Sequence, residues 1–395
     1  MTLNQAVDTA LNRSPAYLMK KESVKEAREQ KRSKKGRSYG HIDLVGSYTR
    51  YNIPRTLAPI VPPITSDVAS GRSIGSLGVR YDLMLFGGFA DLASVEIADI
   101  GKKISETELG LGKEELIYNI KSLFYKIASL QESRNFAVAY RDALRKLMTD
   151  VALEVAAGKK AGIDRLKVAS DLENARFNVV KISDTIGTLK ARLAALIGVE
   201  KVDTVEVPSR EERTGDVEWQ KSYSYKRAEY EVLKSEKGVL KAKSSLYPKI
   251  AFGAYYGNNY GASKEVELWQ AGITLNWPLF DFGVRDAEIQ RALIAKETTR
   301  LKLESTRLKL KSDIIEAKHR ISTAEAKVRA TAKTLELLKK VEEAERIKYE
   351  KGASDMYDLL YAIAKHLSAQ SEHAEAKYDL RMQRAYLDYI TAGEK

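Results

Sequence analysis

The sequence contains no cysteine among its 395 residues and only eight prolines. Without cysteine the chain forms no disulfide, no thiolate metal site and no cysteine nucleophile. Its composition, 44% hydrophobic and 30% charged, excludes wholesale disorder. The net charge of +12 is the difference between 66 basic and 54 acidic residues, so the positive excess is spread over a heavily charged surface. That pattern favours solvated helix faces over a nucleic-acid groove, and we expect no nucleic-acid partner.

The sequence also lacks long apolar runs. No stretch approaches the roughly 20 apolar residues of a membrane-spanning helix, so any passage across a membrane must use strands. The opening residues, MTLNQAVDTALNRSP, have no basic flank followed by an apolar core, and no signal peptide is visible in this numbering. We expect either a cytoplasmic chain or a processed envelope protein with an added methionine.

Catalytic motifs are missing as well, and we expect no enzyme activity, no cofactor and no bound metal. There is no GxSxG motif, and GKKAG at Gly158 lacks the spacing and the final Ser or Thr of a phosphate loop. The four histidines form no HExxH motif, and no close pairing with carboxylates is expected for them. His366 and His373 share a helix face, where packing between helices is the default and a metal site the alternative.

Two long regions without proline, residues 64–207 and 279–395, dominate the chain. Their apolar residues recur at alternating steps of three and four, which is typical of coiled-coil seams on long amphipathic helices. One seam comprises Leu116, Ile120, Leu123, Ile127 and Leu130. The other comprises Ile314, Ala317, Ile321, Ala324, Val328, Leu335 and Leu338, with Thr331 within the run.

Four segments instead have the period-two alternation of strands. The clearest is WQAGITLNWPLF, in which bulky apolar residues alternate with small or polar ones. We expect strands near residues 41–52, 74–86, 249–258 and 267–279, paired as two hairpins. Each is long enough for a tilted strand to cross a bilayer. A soluble sheet with one face packed on a core is the alternative.

These elements belong to an internal repeat with an offset of 194 residues. The LF pair at Leu85 recurs at Leu279, and Gly158 recurs as Gly352. Residues 1–207 would form the first repeat and residues 208–395 the second. Each would contain a helix, two strands, a long helix and a return helix. We expect the long helices at 88–157 and 282–351, and the return helices at 163–198 and 356–392.

The first strand of each repeat gives a different offset. Aligning Gly46 with Gly253 gives 207, which places 13 extra residues in the first hairpin. Those residues lie in the proline-rich loop PRTLAPIVPPITSDVASGR, which we expect to be mobile.

Two hairpins cannot satisfy their own edges in lipid, because open edges leave backbone donors and acceptors unpaired. The chain must therefore oligomerise, and three chains give twelve strands around a lumen wide enough for water. Candidate aromatic belts comprise Tyr48, Tyr51, Tyr81, Trp269 and Trp277. The residues expected to face the lumen are Ser76, Arg80, Asp82, Gln270, Thr274 and Asn276.

This organisation resembles the TolC-type outer-membrane efflux proteins, also called outer-membrane factors. The resemblance covers residues 2–393 and rests on the two repeats, on the WPLFDFG junction, and on the tips VAAGKKAGIDRLKVA and YEKGASDMYDLLYA. It implies an α+β membrane protein: a trimeric 12-stranded transmembrane β-barrel, four strands per chain, continued by a long α-helical coiled-coil barrel.

The resemblance also implies a function and partners. The protein would be the passive exit duct of a tripartite efflux or secretion system, in the outer membrane of a Gram-negative bacterium and extending into the periplasm. Its partners would be two further copies of the chain, a periplasmic adaptor protein, an inner-membrane transporter and outer-membrane lipid. The adaptor and the transporter would open the closed periplasmic end.

Residues at the tips take roles from the same resemblance. Asp358 would form a ring of carboxylates at the tunnel entrance, whose three copies would raise one another's proton affinity and attract cations. Tyr361 stands where the best-known member has a second acidic ring. Tyr349 occupies the position of a gate tyrosine, and Asp164 that of its partner. Ser354 replaces an expected arginine, so one closing salt bridge is missing and we expect an easily opened gate.

The remaining candidates are turns, docking tips and junctions. Gly158 and Gly352 are expected turn glycines, and with Leu166 and Leu360 they would mark the adaptor-docking tips. The strand-to-helix junctions comprise Phe86, Gly87, Pro278, Phe280 and Gly283. Asp164 and Asp358 have an alternative role as caps of the return helices.

The rival function is a soluble coiled-coil scaffold that binds membranes or nucleic acid through its basic surface. A basic cluster precedes the first strand and would lie near anionic lipid headgroups, although a solvated helix face also explains it. Its members are Lys20, Lys21, Lys25, Arg28, Lys31, Arg32, Lys34, Lys35 and Arg37.

Overall fold

The computed structural model describes residues 1–60, 68–206, 219–261 and 264–393. The helices are α1 (Leu3–Arg13), α2 (Pro15–Arg37), α3 (Ala90–Ala156), α4 (Gly162–Ile197), α5 (Tyr223–Lys243), α6 (Val284–Glu350) and α7 (Met356–Thr391). The strands are β1 (His41–Thr56), β2 (Ser70–Phe86), β3 (Lys249–Gly261) and β4 (Lys264–Asn276). The predicted repeat boundary at 207/208 and part of the proline-rich loop lie outside the described residues.

The chain forms two compact units, each built from segments of both repeats. One unit comprises Met1–Glu22, Thr107–Lys226 and Thr306–Lys395. The other comprises Ser23–Glu106 and Arg227–Ser305. The proposed division at 207/208 therefore separates sequence repeats and not compact units, because β2 of the first repeat pairs with β3 of the second. The repeat boundary itself stays a prediction.

The long helices have the same lengths in the two repeats. Both α3 and α6 contain 67 residues, and both α4 and α7 contain 36. Val284 follows Ala90 by 194 positions, as Met356 follows Gly162. Among the described helices none is both long enough and apolar enough to span a membrane.

The main core of the helical unit lies among α1, α3 and α4. Ile120, Phe124 and Ile127 of α3 are fully buried there, against Leu193 and Ile197 of α4. Burial of each such side chain contributes roughly 1.5–3 kcal/mol. A smaller core between α6 and α7 is formed by Leu310, Ile314, Ala317 and Leu387. Both seams identified in the sequence thus contribute buried residues.

The four strands form one antiparallel sheet in the order β1-β2-β3-β4. The expectation of two separate pairs is too narrow, because β2 also pairs with β3 from Gly75 to Phe86. The sequence predicts the fourth strand near 267–279, but β4 ends at Asn276. Pro278 has no N–H for a ladder, and the Trp277 indole N–H donates to the carbonyl oxygen of Leu246 at 3.2 Å. Trp277 therefore lies beyond the strand.

The register separates an apolar face from a polar face across all four strands. One apolar row runs Leu44, Val79, Tyr256 and Trp269. The adjacent polar row runs Asp43, Arg80, Tyr255 and Gln270. Tyr48 and Tyr81 share the apolar face with Trp269, whereas Tyr51 follows Arg50, where the register shifts. The expected grouping of Ser76, Arg80, Asp82, Gln270, Thr274 and Asn276 on the other face agrees with this register.

The first strands of the repeats lie 208 positions apart, because β1 begins at His41 and β3 at Lys249. Gly46 pairs with Leu77 on the apolar face, whereas Gly253 pairs with Asp82 on the polar face. The alignment of Gly46 with Gly253 is therefore wrong by one residue. Side chains alternate with a period of two along a strand, so a slip of one residue exchanges the faces.

Candidate functional site

The two helical tips have the same backbone geometry. Gly158 and Gly352 both have φ of +71°, a left-handed conformation that glycine adopts without steric cost. In the first tip the N–H of Lys159 donates to the carbonyl oxygen of Glu154 at 2.8 Å. The N–H of Gly158 donates to the carbonyl oxygen of Val155 at 3.0 Å. This is the Schellman motif that closes a helix C-terminus, and it recurs at Gly352 with the same partners shifted by 194.

The capping role considered for Asp164 and Asp358 is wrong. Helix α4 has Ala161 at its N-cap, without a side-chain hydrogen bond. Helix α7 has Asp355 at its N-cap, and its carboxylate accepts from the N–H of Asp358 at 3.0 Å. Asp164 and Asp358 each lie in the first turn of their helix, where the positive end of the helix dipole stabilises a carboxylate.

Ser354 joins two carboxylates at the second tip. Its hydroxyl lies 3.0 Å from Oε2 of Glu345 and 3.3 Å from Oδ2 of Asp358. Glu345 also pairs with Lys348 at 2.5 Å. The hydrogen bond from Lys348, and then that from Ser354, lowers the pKa of Glu345. Ser354, which stands where an arginine is expected, therefore contacts the carboxylates of Glu345 and Asp358 but adds no positive charge.

Tyr349 interacts electrostatically with residues of the first tip, but Asp164, the partner expected from the sequence, is not among the groups that shift its pKa. Its pKa is raised, first by burial and then by the charge of Glu154, with Asp150 also contributing. Lys160 pairs with Glu154 at 2.9 Å. The hydrogen bond that Lys160 donates to Glu154 raises the pKa of Lys160, with weaker support from Tyr349 and Asp164. Asp164 thus acts on Lys160, and the acidic group with the largest effect on Tyr349 is Glu154.

Leu166 and Leu360 have opposite environments although they are equivalent in the repeat. Leu166 is 65% exposed, whereas Leu360 is 7% exposed and packs with Leu147 and Val168 in a cluster of α3, α4 and α7. Leu360 is therefore part of a core, and its burial argues against the docking role given to it from the sequence. Leu166 remains accessible.

Tyr361 takes the place of a second acidic ring and is 65% exposed. The ammonium group of Lys365 lies 5.4 Å from the centre of its ring, which is a cation–π distance. This position therefore presents an aromatic ring with a nearby cation, and not a carboxylate.

The strand-to-helix junctions contain consecutive residues with positive φ. Gly88 and Phe89 have φ of +63° and +70°, and Phe282 and Gly283 have +55° and +87°. The aromatic ring of Phe282 is 90% exposed and lies edge-on to Phe280, 4.7 Å between centres. The predicted junction glycine Gly87 precedes this turn in the first repeat.

The polar face of the sheet carries a cleft of about 320 Å³. Its polar lining comprises Arg80, Asp82, Tyr255, Gln270 and Thr274. Gly253 and Gly272 pair with each other across β3 and β4 and form its floor, since neither has a side chain to fill it.

The expectation that the histidines have no carboxylate partners is wrong. His366 Nδ1 lies 2.6 Å from Oε2 of Glu342, and His41 Nε2 lies 3.3 Å from Oδ2 of Asp43. His373 Nδ1 lies 3.1 Å from the hydroxyl of Thr331, so His373 takes part in packing between α6 and α7. Sequence spacing did not reveal the pair of His366 and Glu342 because the two residues lie on different helices, whereas His41 and Asp43 are two residues apart on one strand.

Comparison with known proteins places this geometry in context. Residues 220–393, which lie in the second repeat, match the family model described as outer membrane efflux protein. No curated protein sequence matches the chain.

Solved structures match over nearly the whole length. The outer membrane protein VceC of Vibrio cholerae is 16% identical, with 100% of this chain and 97% of VceC covered and a TM-score of 0.84. The CmeC outer membrane channel of Campylobacter jejuni is 15% identical, with 98% and 85% covered and a TM-score of 0.85. The open state of the MtrE outer membrane channel of Neisseria gonorrhoeae is 16% identical, with 99% and 89% covered and a TM-score of 0.82.

At these sequence identities the structural likeness establishes the fold. The family model adds a match at the level of sequence, within the second repeat. The resemblance of this chain to the TolC-type outer-membrane efflux proteins is therefore confirmed.

Proposed function

We propose that this chain forms the exit duct of a tripartite efflux or secretion system in the outer membrane of a Gram-negative bacterium. The duct is a homotrimer whose strands close a 12-stranded barrel and whose helices form a tunnel in the periplasm. A periplasmic adaptor and an inner-membrane transporter open it. The duct is passive, so the transporter decides the cargo.

The observation that carries this proposal is the uncovered apolar face of the sheet. Ile42 is 72% exposed, Leu44 75%, Trp269 71% and Ile273 69%. Soluble proteins rarely leave so large a contiguous apolar patch in water, whereas lipid would cover it at no such cost. A soluble scaffold, the alternative function, would need another element to cover this face.

The repeat itself supports closure of the sheet by further copies. Strand β2 pairs with β3 in the chain, and β4 and β1 are their equivalents at the two edges. Val79 lies opposite Tyr256 in the β2–β3 pair. Ile273 follows Val79 by the offset of 194, and Tyr48 precedes Tyr256 by the offset of 208. The equivalent pair between two copies is therefore Ile273 of one copy opposite Tyr48 of the next. Both side chains then lie on the apolar face.

The helices support the same arrangement. Leu147 of α3 is 3% exposed where α7 packs on it, but its equivalent in α6, Val341, is 47% exposed. Leu360 of α7 is buried, but its equivalent in α4, Leu166, is exposed. Leu147 and Leu360, which are buried where the repeats meet, therefore each have an exposed counterpart. A head-to-tail contact between chains would bury these counterparts, and such a contact closes a ring when the rotation permits.

Cysteine cross-linking tests the assembly, because the chain has no cysteine of its own. We expect a variant with Tyr48→Cys and Ile273→Cys to give covalent dimers and trimers in native membranes, separable on a non-reducing gel. The matched control combines Ser47→Cys with Ile273→Cys, whose side chains would lie on opposite faces. Equal cross-linking of the two variants, or monomers alone from the first, would reject this assembly.

Channel activity tests the duct. Detergent-purified protein reconstituted in a planar bilayer should give discrete single-channel steps, and Asp358→Ala should reduce their cation selectivity if this carboxylate rings the entrance. A protein that stays in solution without detergent and gives no steps would favour the soluble scaffold.

A further inference from the structure

Three potential metal ligands converge on the polar face of the sheet. Nε2 of His41 lies 3.3 Å from Oδ2 of Asp43 and 3.7 Å from Oδ2 of Asp82. One ligand atom from each side chain lies within 4.8 Å of the other two. The side chains are 64%, 51% and 43% exposed, respectively, so an ion in solution can reach all three.

These separations fit a shared ion better than direct hydrogen bonds. A hydrogen bond between a charged imidazole and a carboxylate is about 2.7–2.9 Å long, and the contact between His366 and Glu342 is shorter still, at 2.6 Å. Two ligands that each lie about 2.0–2.1 Å from a tetrahedral zinc ion are about 3.3–3.4 Å apart. The distance from His41 to Asp43 matches that separation, and the distance to Asp82 is close to it.

The sheet holds the three groups in place. His41 and Asp82 are direct cross-strand partners, and Asp43 lies on the same face two residues further along β1. The chain enters β1 through Gly40, whose φ is +75° and where a Cβ would collide with the carbonyl oxygen of Asp82. The hydroxyl of Tyr81 donates to the carbonyl oxygen of Tyr39 at 2.9 Å, which fixes this entry.

In the described part of the chain, lysine and arginine side chains form no ion pair with the two carboxylates. Arg80 lies opposite Asp43 in the register, yet within the described ranges no lysine or arginine side chain lies at ion-pair distance from Asp43 or Asp82. The imidazole of His41 is their neighbour instead. A divalent cation would compensate the two negative charges and use the ring nitrogen as a third ligand.

The second repeat shows that the fold does not require this cluster. At the equivalent positions His41 is replaced by Lys249, Asp43 by Ala251 and Asp82 by Asn276. The alternation and the pairing are the same in both repeats, but ligand side chains are present only in the first. The cluster is therefore a feature of these side chains and not of strand geometry.

We propose that His41, Asp43 and Asp82 form a binding site for a divalent cation of the zinc class, one site per chain. One imidazole nitrogen and two carboxylate oxygens suit a borderline ion such as Zn²⁺ better than Mg²⁺, which prefers oxygen ligands alone. Water fills the remaining coordination positions.

Calorimetric titration with ZnCl₂ tests the site, using full-length, detergent-purified protein that carries no polyhistidine tag and has been treated with a chelator. We expect one Zn²⁺ per chain. His41→Ala and Asp82→Asn should each weaken binding by about tenfold or more, because each removes a ligand. His319→Ala, which removes an exposed histidine of α6, should leave it unchanged.

A second measurement separates loss of ligands from loss of structure. Asp43→Asn keeps the size of the side chain, and its thermal unfolding should equal that of the wild type while Zn²⁺ binding falls. The absence of wild-type binding up to millimolar Zn²⁺, unchanged binding in His41→Ala, or equal affinity for Mg²⁺ would overturn the proposal. These titrations do not depend on channel activity, so their outcome is independent of the duct function.

Discussion

Nδ1 of His366 and Oε2 of Glu342 lie 2.6 Å apart and connect α7 to α6, with the side chains only 13% and 16% exposed. Arg346 donates to the other oxygen of Glu342 at 2.6 Å. Nε2 of His366 lies 3.3 Å from the amide nitrogen of Gln370. The carboxylate of Glu342 therefore contacts side chains of both α6 and α7.

Glu342→Gln should destabilise this helix pair. Burial favours the neutral acid, but hydrogen bonds from His366 and Arg346 outweigh it and lower the pKa of Glu342. A carboxyl whose pKa is lowered by folding stabilises the protein above its ordinary pKa, and this contribution is lost as the pH falls through the lowered value. We expect a loss of about 1–3 kcal/mol at pH 7, visible as a lower melting temperature, and a smaller difference below about pH 4.

The matched control is Glu343→Gln, because Glu343 is exposed and pairs with Lys339 at 4.0 Å. An exposed pair of this kind contributes about 0–1 kcal/mol. Equal melting temperatures for Glu342→Gln and Glu343→Gln at pH 7 would contradict the role of the buried pair.

Gly352→Ala should destabilise the second tip, because its φ of +71° is left-handed and costs a residue with a Cβ about 1–2 kcal/mol. Gly187→Ala provides a control of opposite sign, since Gly187 lies inside α4 with open space around it. Alanine there should stabilise by up to about 1 kcal/mol. Thermal unfolding of both variants measures the difference, and a stabilised Gly352→Ala would refute the turn geometry.

Lys160→Ala should ease opening of the isolated channel, if the protein is the proposed duct. The side chain pairs with Glu154 and acts electrostatically on Tyr349 of the other helix pair, so its removal weakens a link between the two tips. We expect a higher mean conductance in planar bilayers than for the wild type. Lys159→Ala is the neighbouring control, because Lys159 is exposed; the same increase in both variants would argue for a general charge effect.

Leu360→Ala and Leu166→Ala should separate folding from assembly. Leu360 is buried within its own chain, so its truncation should cost about 2–5 kcal/mol of subunit stability. Leu166→Ala should leave the subunit stable but lower the temperature at which trimers dissociate in detergent. An unchanged trimer that no longer binds its adaptor would instead support the docking role expected from the sequence.

The helices and their lengths follow directly from the sequence. Proline-free regions, apolar seams such as Leu116 to Leu130, and the tip glycines define long helices that turn at fixed points. These signals are local, since propensity and periodicity act within a few turns of the chain. The separation of 194 residues between the tips, which is visible in the sequence, is found again in the structure: α3 and α6 have equal lengths, and so do α4 and α7.

Contacts between distant segments were decided by the tertiary structure. The sequence aligned Gly46 with Gly253, but pairing with β2 sets the faces and moves the offset from 207 to 208. Asp164 is the expected partner of Tyr349, but the carboxylate that acts most strongly on Tyr349 is Glu154. A small error of register or of helix rotation exchanges one neighbour for another, and a single sequence carries no local signal that fixes either.

The sequence by itself thus determined which segments are helices and strands, that they repeat, and which family they resemble. Only the tertiary structure decided that Leu360 is buried while Leu166 is exposed, and that His41 lies beside Asp82. The physical reason is that secondary structure depends on near neighbours along the chain. Burial and ligand geometry depend instead on which distant segments pack together.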